Sequence, residues 1–367
     1  MAIWALFLFA FLHSLNIKES KKGRTFILFS SEAGHDLKFL HLSAIAKAKH
    51  SVYLASFGYS DADLIKLIKI KTQNHIPVTL LTDRKLTPAL ASHPLLTLIE
   101  DQQSGLMHKK IVLIDDNTLF LGSSNSTETS YKLHHNHMIW LKNELLAKAV
   151  KESKHFENDQ ITHFPLPLEK KEALNTLIQL INQAKTRVYV AIFALTHPLI
   201  LESLIQAHQR NVKVSIVIDQ AMARSTCSKA VKTLQNANIP LFQQRGFQLF
   251  HHKCALIDNT FVTGSANWSL AGFGRNREYL LVFSDLNQLD LQQVETFFHR
   301  VFRSSKHLRN CPNRDKKKTW HIPYLQQPFL FFSSWTPSET FLSTLPFYDP
   351  LKADVLCGLS SEKCASP

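Results

Sequence analysis

Two stretches of this chain repeat the same alternation of apolar runs and helix-period segments. Residues 51–57 (SVYLASF) and 187–193 (RVYVAIF) are apolar runs of strand length and composition. Each is followed by apolar positions at helical spacing, over residues 61–73 and 198–209. Each then has a second apolar run closed by aspartate, VTLLTD at 78–83 and VSIVID at 214–219. A third pair follows, GLMHKKIVLID at 105–115 and QLFHHKCALID at 248–258. An internal repeat of this kind decides the architecture. Strands alternating with helices predict βαβ units and a largely parallel sheet with helices on its faces. Two copies predict an α/β chain of two similar lobes, residues 36–158 and 170–304, related by a pseudo-twofold. A linker is expected over 158–170, where Pro165 and Pro167 interrupt a charged helical stretch. A helix near 286–302 is expected to close the second lobe.

The two ends of the chain stand outside the repeat. Residues 1–12 are an apolar run too short to span a bilayer comfortably and of the length of a signal-peptide core. A basic stretch, 18–24, follows. Residues 1–24 are therefore read as a signal peptide or membrane anchor with a basic flank, against a buried first helix or strand. Residues 309–367 are a C-terminal extension rich in Pro, Ser and aromatics, with a basic cluster at 314–318 and no twin in the first half. Three of the five cysteines, Cys311, Cys357 and Cys364, lie there. They either staple the tail after export or stay unpaired. Cys254 reads as a small core residue.

Charge narrows the partner. The chain has 367 residues and a formal net charge of +13. That excess favours an anionic partner: nucleic acid, an anionic lipid surface or a phosphate-bearing substrate.

The chemistry lies in the third pair of repeats. His108 and Lys110 are followed by Asp115; His251 and Lys253 are followed, at the same spacing, by Asp258. A turn then follows in each half, Gly122-Ser123-Ser124-Asn125 and Gly264-Ser265-Ala266-Asn267. Residues i and i+2 of a strand share a face, so each histidine projects with its lysine. One imidazole, one ammonium and the neutral donors of the turn suit a tetrahedral oxyanion. Phosphodiester cleavage wants two imidazoles, one to attack phosphorus and one to protonate the leaving oxygen. Two half-sites facing each other supply both.

With two ordered H-x-K-x-x-x-x-D motifs, each followed by G-S-x-N, the chain resembles the phospholipase D superfamily over about residues 36–304. It is similar in style to the compact nuclease and cardiolipin-hydrolase branch. The resemblance implies two α-β-α lobes with mixed sheets flanked by helices, and catalysis through a covalent phosphohistidine without a metal or other cofactor. It implies that His108 and His251 are nucleophile and general acid, with His108 favoured as nucleophile. Lys110, Lys253, Asn125 and Asn267 would hold the phosphate, Ser123 and Ser265 would lie beside it, and Asp115 and Asp258 would be structural. The family often places a carboxylate after the turn to orient a histidine. Glu278 stands there in the second half, but Asn136 occupies the equivalent place in the first. Asn136, a neighbouring histidine or Glu128 is expected to substitute.

His134, His135 and His137 form an unspecific H-H-x-H, read as surface histidines at a strand end rather than metal ligands. Trp268 either shapes the substrate mouth or packs. The expected activity is phospholipid hydrolysis by an exported or membrane-associated monomer that is an internal pseudo-dimer. A metal-independent endonuclease acting on nucleic acid is the second reading, and a non-catalytic anion-binding protein the third.

Overall fold

The computed structural model describes residues 23–83 and 90–308. The expected signal or anchor segment, most of its basic flank, the C-terminal extension and the three late cysteines lie outside the described residues. The first lobe runs β1 (Ile27–Ser30), α1 (Leu37–Lys47), β2 (Val52–Ser56), α2 (Ala62–Gln73), β3 (Val78–Asp83), β4 (Leu96–Asp101), β5 (Lys110–Ile114), β6 (Thr118–Gly122), α3 (Glu128–Leu133), β7 (His134–His135), β8 (His137–Lys142) and α4 (Glu144–Glu152). The second runs β9 (Phe156–Glu157), β10 (Ile161–Leu166), α5 (Lys170–Gln183), β11 (Arg187–Ile192), α6 (Pro198–Gln209), β12 (Lys213–Ile218), α7 (Gln220–Arg224), α8 (Ser228–Asn236), β13 (Leu241–Gln244), β14 (Leu249–Phe250), β15 (Lys253–Ile257), β16 (Thr260–Gly264), α9 (Leu270–Gly274), β17 (Glu278–Phe283), α10 (Gln288–Arg303) and β18 (Ser305–His307).

The first sheet has the order β1-β8-β6-β5-β2-β3-β4. Within the second, β10-β17-β16-β15-β11-β12-β13 repeats that order strand for strand, with β9 and β18 added at the edges. The sheets are mixed, as the family resemblance implied, rather than largely parallel as the alternation alone suggested. Within these two sheets only β2-β3-β4 and β11-β12-β13 run parallel. The reason is the tight turn after each motif strand, which folds β5 onto β6 and β15 onto β16 as antiparallel hairpins.

Those turns explain the motif aspartates. Asp115 and Asp258 both adopt positive φ. The Asp115 carboxylate accepts from the amides of Lys49, His50 and Ser51. Asp258 accepts from the amides of Lys185, Thr186 and Arg187 and from the Thr186 hydroxyl. Each carboxylate ties its hairpin to the entry of β2 or β11. Burial pushes the Asp258 carboxyl up, but these donors outweigh it and hold it at about 2. Asp258→Ala should cost about 1–3 kcal/mol in urea unfolding at neutral pH. Because the folded value is depressed, the wild-type advantage is complete above the unfolded carboxylate pKa near 4. It is lost as pH falls through the folded value, so the two proteins should converge in strong acid.

The stretch expected as a linker instead contributes β10 to the second sheet, paired with β17 along its length. Strand β9 covers only Thr162 and His163, so at Pro165 β10 is an edge and a missing N–H is tolerated. Helix α10 closes the lobe close to where the sequence placed it.

The two sheets turn their inner faces to one core. Leu113, Leu121 and Ile139 of the first lobe pack in one buried cluster with Cys254, Phe261 and Phe283 of the second and Phe297 and Phe298 of α10. Gln293 on α10 also reaches across, donating to the Phe26 carbonyl and accepting from the Leu28 amide. The lobes form one compact unit. No helix among the described residues is long and apolar enough to cross a membrane.

Candidate active site

The motif histidines precede β5 and β15 at the centres of the two sheets. Lys110 donates from Nζ to the His108 carbonyl at 2.6 Å, and Lys253 to the His251 carbonyl at 3.0 Å. Both lysines are buried. Burial pushes the Lys110 ammonium down to about 7, with Glu278 pulling the other way.

Two cross-lobe seams bring the half-sites together. Strand β7 pairs in parallel with β14, and the His251 amide donates to the His135 carbonyl at 2.9 Å. Opposite, the His108 amide donates to the Arg277 carbonyl at 2.9 Å, while the Arg277 guanidinium bonds the Asp101 carboxylate. Gly105 (φ +92) is required at this second seam, since a Cβ there would stand 2.4 Å from the Arg275 carbonyl oxygen. The outcome is that the rings of His108 and His251 lie 6.4 Å apart, nearly perpendicular.

Each ring is held by the opposite lobe. His108 Nδ1 is 2.6 Å from Oε1 of Glu278, a fully buried carboxylate at the start of β17. His251 Nδ1 is 3.0 Å from the Ser123 carbonyl oxygen and 3.2 Å from Oδ1 of Asn136. Asn136 therefore stands in for the absent carboxylate, while Glu128 lies exposed and paired with Lys132. Both Nδ1 atoms face only acceptors, which keeps a proton there and leaves Nε2 of each ring as the nitrogen that gains or loses one. Burial lowers the His108 pKa, Glu278 resists and Lys110 adds to the lowering. His251 is pushed well below the usual imidazole range by burial, then by Lys253, His134 and Lys110.

Ser123 and Ser265 are fully buried, and their hydroxyls brace the turns. Ser123 donates to Asn136 Oδ1 and accepts from the His137 amide; Ser265 accepts from the Tyr279 amide. Asn125 and Asn267 follow these turns, and among the described residues their buried Oδ1 atoms have no donor. Asp115 and Asp258 sit at the far ends of the motif strands. Trp268 is buried, its carbonyl accepting from the amides of Thr196 and His197, so it packs a wall. Cys254 is in the core.

Three rings beside the histidines were not singled out as site residues from the sequence. Phe57 and Phe193 stand edge-on to His108 and His251 at 5.9 and 5.1 Å, and Lys253 lies over Phe193. A signal existed, because the two phenylalanines end the aligned runs of the repeat. His134 lies 5.7 Å from His251 and is lowered to about 4 by burial and by Lys253.

The expectation of surface histidines is corrected for the rest of that cluster. His137 is fully buried, with Nε2 2.6 Å from the Thr263 hydroxyl and Nδ1 3.0 Å from Nδ1 of His252. His252 Nε2 and His135 Nδ1 both bond Oε1 of Glu32, at 2.8 and 3.0 Å. The cause is β8, which lies inside the first sheet with this end turned toward the second lobe. Among the described residues no group of three or more His, Cys, Asp or Glu could hold a metal ion. Burial pushes the Glu32 carboxyl up, yet the paired imidazoles outweigh it and hold it far below the usual range. Glu32→Ala should cost about 3–5 kcal/mol at neutral pH, because it strands the buried imidazoles it joins. Unfolding at two pH values checks this: the deficit should shrink as acid protonates Glu32 in the wild type.

Against known proteins, the family model described as "Cardiolipin synthase, PLD-like domain" matches twice, over residues 41–159 and 177–302. The chain belongs to the phospholipase D superfamily. Its relatives include a mitochondrial cardiolipin hydrolase from Xenopus laevis, 29% identical over 139 residues. That alignment covers 38% of this chain and 64% of the relative's length. A phospholipase D from Rickettsia typhi is 28% identical over 160 residues, covering 40% of this chain and 78% of the relative. The crystal structure of a phosphatidylserine synthase from Haemophilus influenzae shares the fold, with a TM-score of 0.62 at 14% identity, over 77% of this chain and 87% of that one. Within the phospholipase D pattern this chain departs at Asn136, where a carboxamide replaces the carboxylate that its own second half retains.

Proposed function

We propose that this chain is a phospholipase D-type phosphodiesterase that hydrolyses phospholipid phosphodiester bonds through a covalent phosphohistidine. The observation that carries this is the crossed support of the two imidazoles, each oriented by the opposite lobe and separated by 6.4 Å. With ring centroids this close, a phosphate seated between the two imidazoles is within reach of both, as a near-attack arrangement requires. His108 attacks, because the Glu278 carboxylate behind it makes Nε2 basic and stabilises the charge it gains. His251, backed by neutral acceptors and beside lysines, is the more acidic imidazolium and the better donor to a leaving oxygen.

In the first step Nε2 of His108 bonds to phosphorus, the ester P–O bond breaks, and the proton on His251 Nε2 passes to the departing alkoxide. In the second, a water oxygen bonds to phosphorus, its proton passes to His251, and the N–P bond breaks. Lys110, Lys253, Asn125 and Asn267 stabilise charge on the non-bridging oxygens. The relatives named for phospholipid hydrolysis support lipid as substrate, and an exported or membrane-associated chain would meet it. The net charge of +13 favours the second reading, a nuclease.

The test is incubation of purified protein with labelled cardiolipin, phosphatidylcholine and single-stranded DNA, in the presence of chelator. Phosphatidic acid, or phosphatidylglycerol from cardiolipin, supports lipid hydrolysis. Shortened DNA supports the nuclease. No product from any of the three leaves an anion-binding protein.

A further inference from the structure

A loop leading into the second motif carries an apolar side chain to the edge of the site. Residues 245–248 connect β13 to β14, and Phe247 at their tip is 92% exposed. Gly246 beside it adopts φ +94, the left-handed region that glycine enters without strain. The loop is held from behind: Gln244 Nε2 donates to the Gln248 carbonyl at 2.8 Å, and Arg245 Nε to the Ser305 carbonyl at 3.3 Å. His251 is four positions on from Phe247, so their Cα atoms are at most about 14 Å apart.

The neighbouring rim has the same character. Leu249 lies opposite His134 in the β7–β14 pair, so Leu133, one residue before His134, stands at the same end of that pair as the loop. Leu133 is 52% exposed. Arg245 is exposed beside Phe247, as is Arg224 at the end of α7, whose first amide donates to Gln244. Glu128, at the start of the helix that ends at Leu133, is paired with Lys132.

We infer that this rim, Phe247 with Leu133 and the flanking arginines, docks on an anionic phospholipid bilayer. The inference rests on the lipid reading above and adds how the site meets its substrate. A lipid phosphate sits just outside the acyl boundary, and an apolar side chain seats about 5–10 Å into that boundary. An apolar pair within reach of the two imidazoles enters the boundary while the site holds the phosphate. Arginines beside it meet neighbouring lipid phosphates. A leucine next to the phenylalanine suits acyl chains better than stacked nucleobases, which want flat faces.

The test uses the full chain and vesicles of phosphatidylcholine with one-fifth cardiolipin. Hydrogen exchange of peptides covering residues 244–250 reads the loop locally, whatever other segment touches the membrane. Vesicles should slow exchange in this loop, and Phe247→Ser should remove that protection. The same variant should lose on the order of tenfold in vesicle turnover while hydrolysing soluble bis(p-nitrophenyl) phosphate as the wild type does. Exchange unchanged by vesicles, or protection by single-stranded DNA alone, overturns the inference. Protection that depends on Phe247, without release of any lipid product, leaves the docking surface standing and removes lipid hydrolysis as the function.

Discussion

His108→Asn is expected to lower leaving-group release from every phosphodiester by about 10⁴-fold or more, whereas His251→Asn should slow that first step selectively, sparing leaving groups that need no proton. The difference comes from what each ring supplies in the proposed mechanism. Without His108 no nitrogen reaches phosphorus, and the quality of the leaving group is irrelevant. Without His251 the attack remains, but an alkyl oxide must depart unprotonated, which costs about 10²–10⁴-fold. A nitrophenolate leaves without a proton. With bis(p-nitrophenyl) phosphate, His251→Asn should therefore release one equivalent of nitrophenolate per protein and then stall, because no base activates water for the second step. Rapid-mixing absorbance reads the burst, and peptide mass spectrometry should find the phosphoryl adduct on the peptide containing His108. An adduct on His251 in the converse variant would exchange the two roles.

Asn136→Asp is expected to move the alkaline limb of the pH–rate profile upward by about 1–3 units. In the proposed mechanism that limb falls where His251 loses the proton it donates. In the wild type, burial and the nearby lysines hold this ring well below the usual imidazole range, and its Nδ1 partners are neutral. The optimum should accordingly lie on the acid side of pH 6.5, the unperturbed imidazole value. A carboxylate 3.2 Å from Nδ1 favours the protonated ring, so activity should persist to higher pH. The acid limb, set by the need for a neutral His108, should stay in place, since Glu278 is untouched. Urea unfolding in parallel separates a shifted profile from lost structure, because Asn136 Nδ2 also donates to the Ser130 carbonyl. An unmoved alkaline limb in a stable variant removes Asn136 as the group that tunes His251.

Much of this was legible in the amino-acid order, for identifiable reasons. The paired motifs recur at fixed spacing, and period-two geometry puts each histidine with its lysine. The correspondence of Asn136 with Glu278 came from counting along the repeat. Sequence could not show that both side chains act across the lobe boundary, because the crossing is set by the seams at β7–β14 and Met107–Arg277. The H-H-x-H cluster misled because polar composition says nothing of where a strand end points: β8 turns His137 into the shared core, where Thr263, His252 and Glu32 complete its network. Strand β10 was hidden by Pro165, tolerated there because the neighbouring strand is short. The mixed sheet was legible only through the family resemblance, because strand–helix alternation alone points to parallel pairing and does not show that β5–β6 and β15–β16 reverse direction.

The fused pair of halves has one more consequence. In an assembly of two identical chains, any residue behind one imidazole is also behind the other, so the two rings must share one acidity. A single polypeptide lifts that constraint: a codon in one half changes without its twin. Glu278 and Asn136 show the freedom used, with an anion behind one ring and an amide behind the other. A difference between the two imidazoles is thus written into the covalent chain, present before any substrate arrives to break the symmetry.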